Sequence, residues 1–116
     1  MTSFLSVETI RRHKIVNRGG DVLGHAEDFI FDPQSGEMRY LVFSTGGVLG
    51  IGEKQVVIPF GEADLDFANE RIILNFNADE IRDAPGFTRG KFPDFAPAYR
   101  KDIDGFYAAR QRRKGQ

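Results

Sequence analysis

The sequence has 116 residues, of which 41% are hydrophobic and 28% charged, and its formal net charge at pH 7 is −1. A chain of this length is expected to form one domain that buries roughly 65% of its unfolded surface. The absence of cysteine excludes a disulfide framework, a thiolate nucleophile and a cysteine-ligated zinc site.

Charge is distributed unevenly along the chain. Residues 1–95 contain 10 Lys and Arg against 15 Asp and Glu, whereas residues 96–116 contain 6 against 2. Because phosphate contacts need clustered cations, the acidic body disfavours a nucleic-acid-binding face there, and only the basic tail suits an acidic partner. The N-terminal stretch and the rest of the chain lack an apolar run of the ~18–20 residues that a membrane helix needs. We therefore expect a cytoplasmic protein without a membrane span.

Short apolar runs separated by turn residues predict six strands. Runs of Val, Ile, Phe and Tyr bounded by Gly, Asn, Asp and Pro are typical of strands. The predicted strands are residues 14–17, 22–31, 38–45, 55–59, 63–67 and 71–76. No connection is long enough for a crossover helix, so consecutive strands are expected to pair antiparallel and to close into a small barrel.

Two positions mark the ends of strands. The reversal at 32–36 combines Asp32, which can accept bonds from the backbone ahead, with Pro33, which presets φ, and Gly36, which closes the turn. Pro59 lacks an N–H, so the strand ladder must end or bulge there. Between them, strand 38–45 carries apolar side chains on both faces, which predicts a central position in the sheet.

The chain changes character after the sixth strand. Asn77 as N-cap with Glu80 at N3 predicts one capped helical turn. Residues 87–97 are rich in Phe and Pro and predict an extended arm. Residues 98–113 predict a helix with an aromatic and aliphatic stripe, although Gly105 in its middle costs about 1 kcal/mol relative to Ala. The predicted fold is therefore all-β, a small antiparallel barrel with a C-terminal arm and helix.

The glycine-rich segment STGGVLGIGEK, residues 44–54, raises the question of a nucleotide site. Gly47 and Gly52 have the spacing of a P-loop, but Glu53 stands where the motif requires Lys, and a carboxylate there would repel phosphate. The dinucleotide-binding pattern also fails, because no helix follows. We interpret the segment as a wide hairpin loop whose aliphatic residues either cap the barrel or form a contact surface. These residues are Val48, Leu49 and Ile51.

Other candidate chemistry is sparse. His25 and Glu27 share one strand face at period two, but no third metal ligand is nearby in sequence, which favours polar residues on a barrel exterior. Asp28, placed on the opposite face with Ala26 and Ile30, either acts as an acid with a raised pKa or accepts backbone N–H bonds; we favour the structural role. We predict no catalytic residue, no metal site and no cofactor.

Residues 16–60 resemble the PRC-barrel domain, and with the weaker match of residues 84–87 the resemblance covers about residues 7–87. The ordered combination, rather than any single motif, carries the resemblance. Its signature positions are Gly24, Asp28, Asp32, Pro33, Gly36, Gly47, Gly50, Gly52 and Pro59. The resemblance implies a small β-barrel used for assembly and protein contact, with no shared active-site motif. It divides the chain into a domain at 7–87 and an arm and basic tail at 88–116.

The leading hypothesis from the sequence is a non-enzymatic assembly module that forms a homodimer. A small barrel cannot bury eleven Phe and the arm together, so some aromatic surface remains for a partner. The predicted contact residues are Val48, Leu49, Ile51, Phe92, Phe95, Tyr99, Phe106 and Tyr107. The tail helix could instead dock on its own chain or swap between two copies. An RNA- or ribosome-associated factor is the alternative, because the family includes a ribosome maturation factor domain.

Overall fold

The computed structural model describes residues 4–45 and 54–114. The α-helices in this part are α1 (Val7–Ile10), α2 (Ala78–Asp83) and α3 (Pro97–Lys114), and two single 3-10 turns lie at Phe60–Glu62 and Phe67–Asn69. The strands are β1 (Lys14–Asn17), β2 (Val22–Phe31), β3 (Met38–Ser44), β4 (Lys54–Pro59), β5 (Ala63–Asp66), β6 (Arg71–Leu74) and β7 (Gly86–Thr88). The six predicted strands correspond to β1–β6, with ends that agree within two residues. The seventh strand was not predicted.

The strands form one sheet in the order β5-β6-β1-β2-β3-β4-β7. Five of the six pairs are antiparallel, but β1 and β6 run parallel, with Ile15 opposite Ile72. The expected antiparallel pairing of consecutive strands is therefore not met throughout the sheet, because β6 lies parallel beside β1 and β4 pairs with β7 instead of β5. Within the described residues β5 and β7 each pair on one side only, so the expected closure of the barrel is not seen.

Both faces of the central strands are covered. The register places Leu41 opposite Ile58 on one face of β3 and β4, and Val42 opposite Val57 on the other. All four side chains are buried. This confirms the prediction of a central strand that is apolar on both faces. We call the face that carries Val42 and Val57 the outer face, because the C-terminal segment packs against it.

The helix α3 packs against the sheet and confirms the helix predicted at residues 98–113, whereas the all-β class is not confirmed. Ile103 and Tyr107 of α3 are fully buried, and the Tyr107 hydroxyl donates a hydrogen bond of 2.9 Å to the carbonyl oxygen of Val57. The Tyr107 ring also packs edge-on against Phe76, with ring centroids 5.2 Å apart. Of the arrangements left open by the sequence, α3 adopts the intramolecular one in this structure.

The predicted caps and turns are confirmed. The Asn77 side chain accepts a hydrogen bond from the Glu80 N–H, and the Glu80 carboxylate accepts one from the Asn77 N–H. In the reversal at 32–36, Asp32 accepts a 2.9 Å bond from the Gln34 N–H, and Gly36 adopts a φ of +77°. β4 ends at Pro59, as the missing N–H predicts.

Candidate interaction surface

Four aromatic rings on the C-terminal arm and its neighbours form one continuous row, which we call the aromatic ridge. It consists of Phe87, Phe92, Phe95 and Tyr99, with successive ring centroids 5.6, 5.5 and 5.2 Å apart. Tyr40 of β3 lies against Phe95 at 5.7 Å. These separations are within the range of favourable aromatic pairs. The ridge therefore attaches the arm to the outer face of the sheet.

The local sequence explains why the arm follows this path. Gly90 has a φ of +87°, and the Lys91 N–H donates to the carbonyl oxygen of Thr88 at 2.9 Å, which closes a tight turn after β7. Pro93 fixes its own φ and keeps the residue before it extended. Pro97 occupies the first position of α3, where a missing N–H costs nothing. The turn and the two prolines together direct the arm across the sheet and into α3.

The aromatic ridge is half-buried at Phe87, Phe95 and Tyr99 but open to solvent at Phe92. Phe92 is 58% exposed, although its ring contacts Phe87 and Phe95 on either side. On the far side of Phe95, a groove of about 160 Å³ is lined by the equally exposed Phe31 and by Tyr40. Exposed aromatic rings thus flank Phe95 on both sides.

A second, larger groove of about 500 Å³ lies between β3 and α3. Tyr40 and Asp104 line it, and the Tyr40 hydroxyl donates a 2.9 Å hydrogen bond to the Asp104 carboxylate. Burial, and then the hydrogen bond to that carboxylate, raises the pKa of Tyr40 to about 12. The cationic residues Arg39, Arg100 and Lys101 line the groove.

The other end of the ridge borders a pocket of about 250 Å³, which we call the Gln55 pocket. Its floor is formed by Val42 and Gln55, and its walls include Phe87, Phe92, Arg89 and Asp28. Arg89 donates a 3.1 Å hydrogen bond to the Glu27 carboxylate and a weaker one of 3.4 Å to the Ser44 hydroxyl. The Gln55 side chain is buried, and its Nε2 has no hydrogen-bond partner among the described residues.

The predicted contact residues fall into three groups. Phe92, Phe95 and Tyr99 are brought together in the aromatic ridge. Phe106 and Tyr107 form a separate cluster lower on α3, where Tyr107 is only 1% exposed and the Arg110 guanidinium lies 3.4 Å from the Phe106 ring centroid. Tyr107 is therefore a core residue of this chain, which removes it from the exposed surface. The third group and three signature glycines lie outside the described residues: Val48, Leu49, Ile51, Gly47, Gly50 and Gly52.

Asp28 lies on a different face from the one predicted. The register of β2 shifts between Ala26 and Asp28, so Asp28 pairs with Val42 and lies on the outer face, whereas Ala26 pairs with Phe43 on the core face. Glu27 is the extra residue of this bulge, so side chains of β2 do not alternate between the two faces of the sheet here in the way that the prediction assumed. The Asp28 carboxylate accepts a 2.8 Å hydrogen bond from the Phe29 N–H.

Sequence reasoning missed the Gln55 pocket. One signal could have drawn attention to it: Gln55 is the polar residue at the start of an otherwise apolar run in β4. No group of three His, Asp or Glu close enough to hold a metal ion occurs within residues 4–45 and 54–114. In the same part of the chain, none of the helices has the length and apolar character needed to span a membrane.

Comparison with known protein families finds a match that covers β1–β6. A family model described as PRC-barrel domain matches residues 3–81, about two thirds of the chain. None of the curated proteins matches this sequence. The matched segment ends within α2, so β7, the aromatic arm and α3 lie beyond it.

Proposed function

The chain belongs to the PRC-barrel domain family, and on that premise we propose that it is a non-enzymatic assembly module that binds protein through the aromatic ridge. The partner we propose first is a second copy of the chain. The contact surface extends from Phe92 across Phe95 to Phe31.

The observation that carries this proposal is the state of Phe92. Its ring is 58% exposed, yet Phe87 and Phe95 already hold it from both sides. A ring fixed in the free protein loses little conformational entropy when a partner covers it. Aromatic side chains that are pre-positioned in this way are typical anchors at the centre of protein interfaces.

The charge distribution favours a second copy as the partner. Residues 88–101 contain Arg89, Lys91, Arg100 and Lys101 against Asp94, a net charge of +3. The whole chain has a charge of −1, so the remainder has a charge of −4. In a two-fold dimer each cationic ridge can lie on the acidic body of the other copy. Electrostatic complementarity of this kind sets orientation more than it sets affinity.

Light scattering after size-exclusion chromatography tests the proposal. At about 100 μM protein we expect a dimer mass that falls towards the monomer on dilution, because association depends on protein concentration. A monomer mass throughout would reject self-association. Raised salt should weaken the dimer, since the cations around the ridge are exposed and screened.

The cations of the groove between β3 and α3 support the second candidate, an RNA- or ribosome-associated factor. Arg39, Arg100 and Lys101 line this groove, and Asp104 is its one acidic residue. Binding through such contacts falls steeply with salt, because phosphate neutralisation releases counterions. This candidate therefore predicts that a single-stranded RNA oligonucleotide binds at low salt and dissociates at physiological salt. The basic tail would add Arg110, Arg112, Arg113 and Lys114 to these cations, so this candidate also predicts that RNA binding is lost when residues 108–116 are removed.

A further inference from the structure

We infer that the Gln55 pocket accommodates one apolar side chain of a partner's peptide segment and hydrogen-bonds the peptide group beside it. This inference rests on the proposed protein-binding function. It adds the chemistry of the group that the chain recognises.

The position of Gln55 directs its side chain into the pocket. Gln55 lies opposite Ser44 of β3 and opposite Phe87 of β7. Directly opposed residues share a sheet face, and alternate residues along a strand do as well. Gln55 therefore lies on the outer face with Val42 and Phe87, and both of these line the pocket.

The amide of Gln55 is unusually placed for a structural residue. The side chain is only 4% exposed, and its Nε2 donates to none of the described residues. A buried donor without a partner destabilises the fold, and a Leu at the same position would avoid that cost. Groups that break local rules at such a cost are expected at functional sites. The hydrogen-bond partner of Gln55 Nε2 is therefore expected to belong to a bound ligand.

The charges around the pocket indicate a ligand without net charge. Arg11 and Arg89 line it together with Glu27 and Asp28, so cations and carboxylates balance. A phosphate or free carboxylate would meet repulsion from Asp28. A peptide group satisfies both kinds of neighbour, because its carbonyl oxygen accepts from Gln55 Nε2 and its N–H donates to the Asp28 carboxylate.

The size and walls of the pocket fit a single residue. Sites for drug-sized ligands measure about 300–1,000 Å³, whereas this pocket measures about 250 Å³. The side chains of Val42, Phe87 and Phe92 supply apolar surface for one aliphatic or aromatic side chain. The pocket continues directly into the aromatic ridge through Phe92, so a segment lying along the ridge can insert one residue here.

The test uses the full chain and N-acetyl-L-phenylalaninamide, a single residue with a peptide group on each side. In an NMR titration we expect saturable shifts that are largest for the Gln55 side-chain amide. The variant Gln55→Leu should bind the probe about tenfold more weakly, which corresponds to one lost hydrogen bond. The same variant should unfold at a higher temperature, because it removes an unpartnered buried donor. Gln34→Leu, in the exposed turn after β2, is the matched control and should leave probe binding unchanged.

Three results would each overturn the inference. The first is a Gln55 amide signal that does not move with the probe. The second is a Gln55→Leu variant of lower stability, which would make Gln55 a structural residue. The third is tighter binding of N-acetyl-L-phenylalanine, which has a free carboxylate, than of the amide. The light-scattering mass is measured on the same samples, so the two proposals can fail separately. If the protein is a dimer and the probe does not bind, only the pocket proposal is rejected. If the protein is a monomer and the probe binds, only the proposal of self-association is rejected.

Discussion

The hydroxyl of Tyr107 donates a 2.9 Å hydrogen bond to the carbonyl oxygen of Val57, and both residues are fully buried. This contact joins α3 to β4 across 50 residues of sequence. The helix lies beyond the segment that the family model matches. The outer face of the sheet nevertheless carries Val42 and Val57, whose side chains are buried in the folded chain. The C-terminal segment is therefore part of the fold that supports the proposed surface.

The contribution of this hydrogen bond can be measured by removing the hydroxyl. We expect Tyr107→Phe to lower the free energy of unfolding by about 1 kcal/mol, the usual net value of a buried hydrogen bond. The matched control is Tyr99→Phe, because the Tyr99 hydroxyl is buried and has no hydrogen-bond partner in the described structure. That variant should be neutral or stabilising. Urea denaturation measures both, and equal effects would show that Tyr107 does not anchor the helix.

The three tyrosines predict a delayed alkaline titration. Burial raises the pKa of Tyr99 and Tyr107 above 10.0, and burial with the Asp104 hydrogen bond raises the pKa of Tyr40 to about 12. Because each folded pKa lies above the unfolded one, the stabilisation is complete below pH 10 and declines as the pH rises towards 12.

Near-ultraviolet absorbance of tyrosinate measures this directly, since the chain has three Tyr and no Trp. We expect native protein to titrate at higher pH than protein in denaturing urea. Coincident curves would contradict the burial of these rings, and with it the docking of α3 on the sheet.

Gly24 is predicted to be essential for the contact between β2 and β3. A Cβ at this position would overlap the backbone carbonyl of Ser44, and backbone cannot move aside as a flexible side chain can. We expect Gly24→Ala to cost at least about 2 kcal/mol. Gly61→Ala is the control, because a Cβ there meets nothing within 4 Å. Thermal unfolding compares the two, and equal melting temperatures would contradict the register of β2 against β3.

The sequence predicted most of the strands because their signals are local. Each of β1–β6 is an apolar run between turn residues, and the turn at 32–36 contains its own hydrogen-bonding groups. The parallel pairing of β1 with β6 could not be predicted in this way, because it joins residues far apart in sequence. β7 was missed because it has three residues and directly follows Pro85.

Three aromatic residues of the candidate surface were named from the sequence, but their arrangement was not predicted. Phe92, Phe95 and Tyr99 were identified as contact residues, and the structure places them in one ridge. Burial of Tyr107 could not be inferred from the stripe on α3, because a stripe suits an intramolecular and an intermolecular contact equally. The bulge at Glu27 and the unpartnered amide of Gln55 depend on how neighbouring strands pair, which local pattern does not determine.

The central claim is that the chain self-associates through the aromatic ridge. It is tested most directly by comparing the self-association of the Phe92→Ser and Phe67→Ser variants. Both rings are exposed, at 58% and 42%, but Phe67 lies between β5 and β6, at the opposite end of the sheet order from the ridge. Sedimentation equilibrium should show the dimer of the unchanged protein weakened at least about tenfold by Phe92→Ser and unaffected by Phe67→Ser. An equal association constant for all three proteins, with folding intact, would contradict the role of the aromatic ridge.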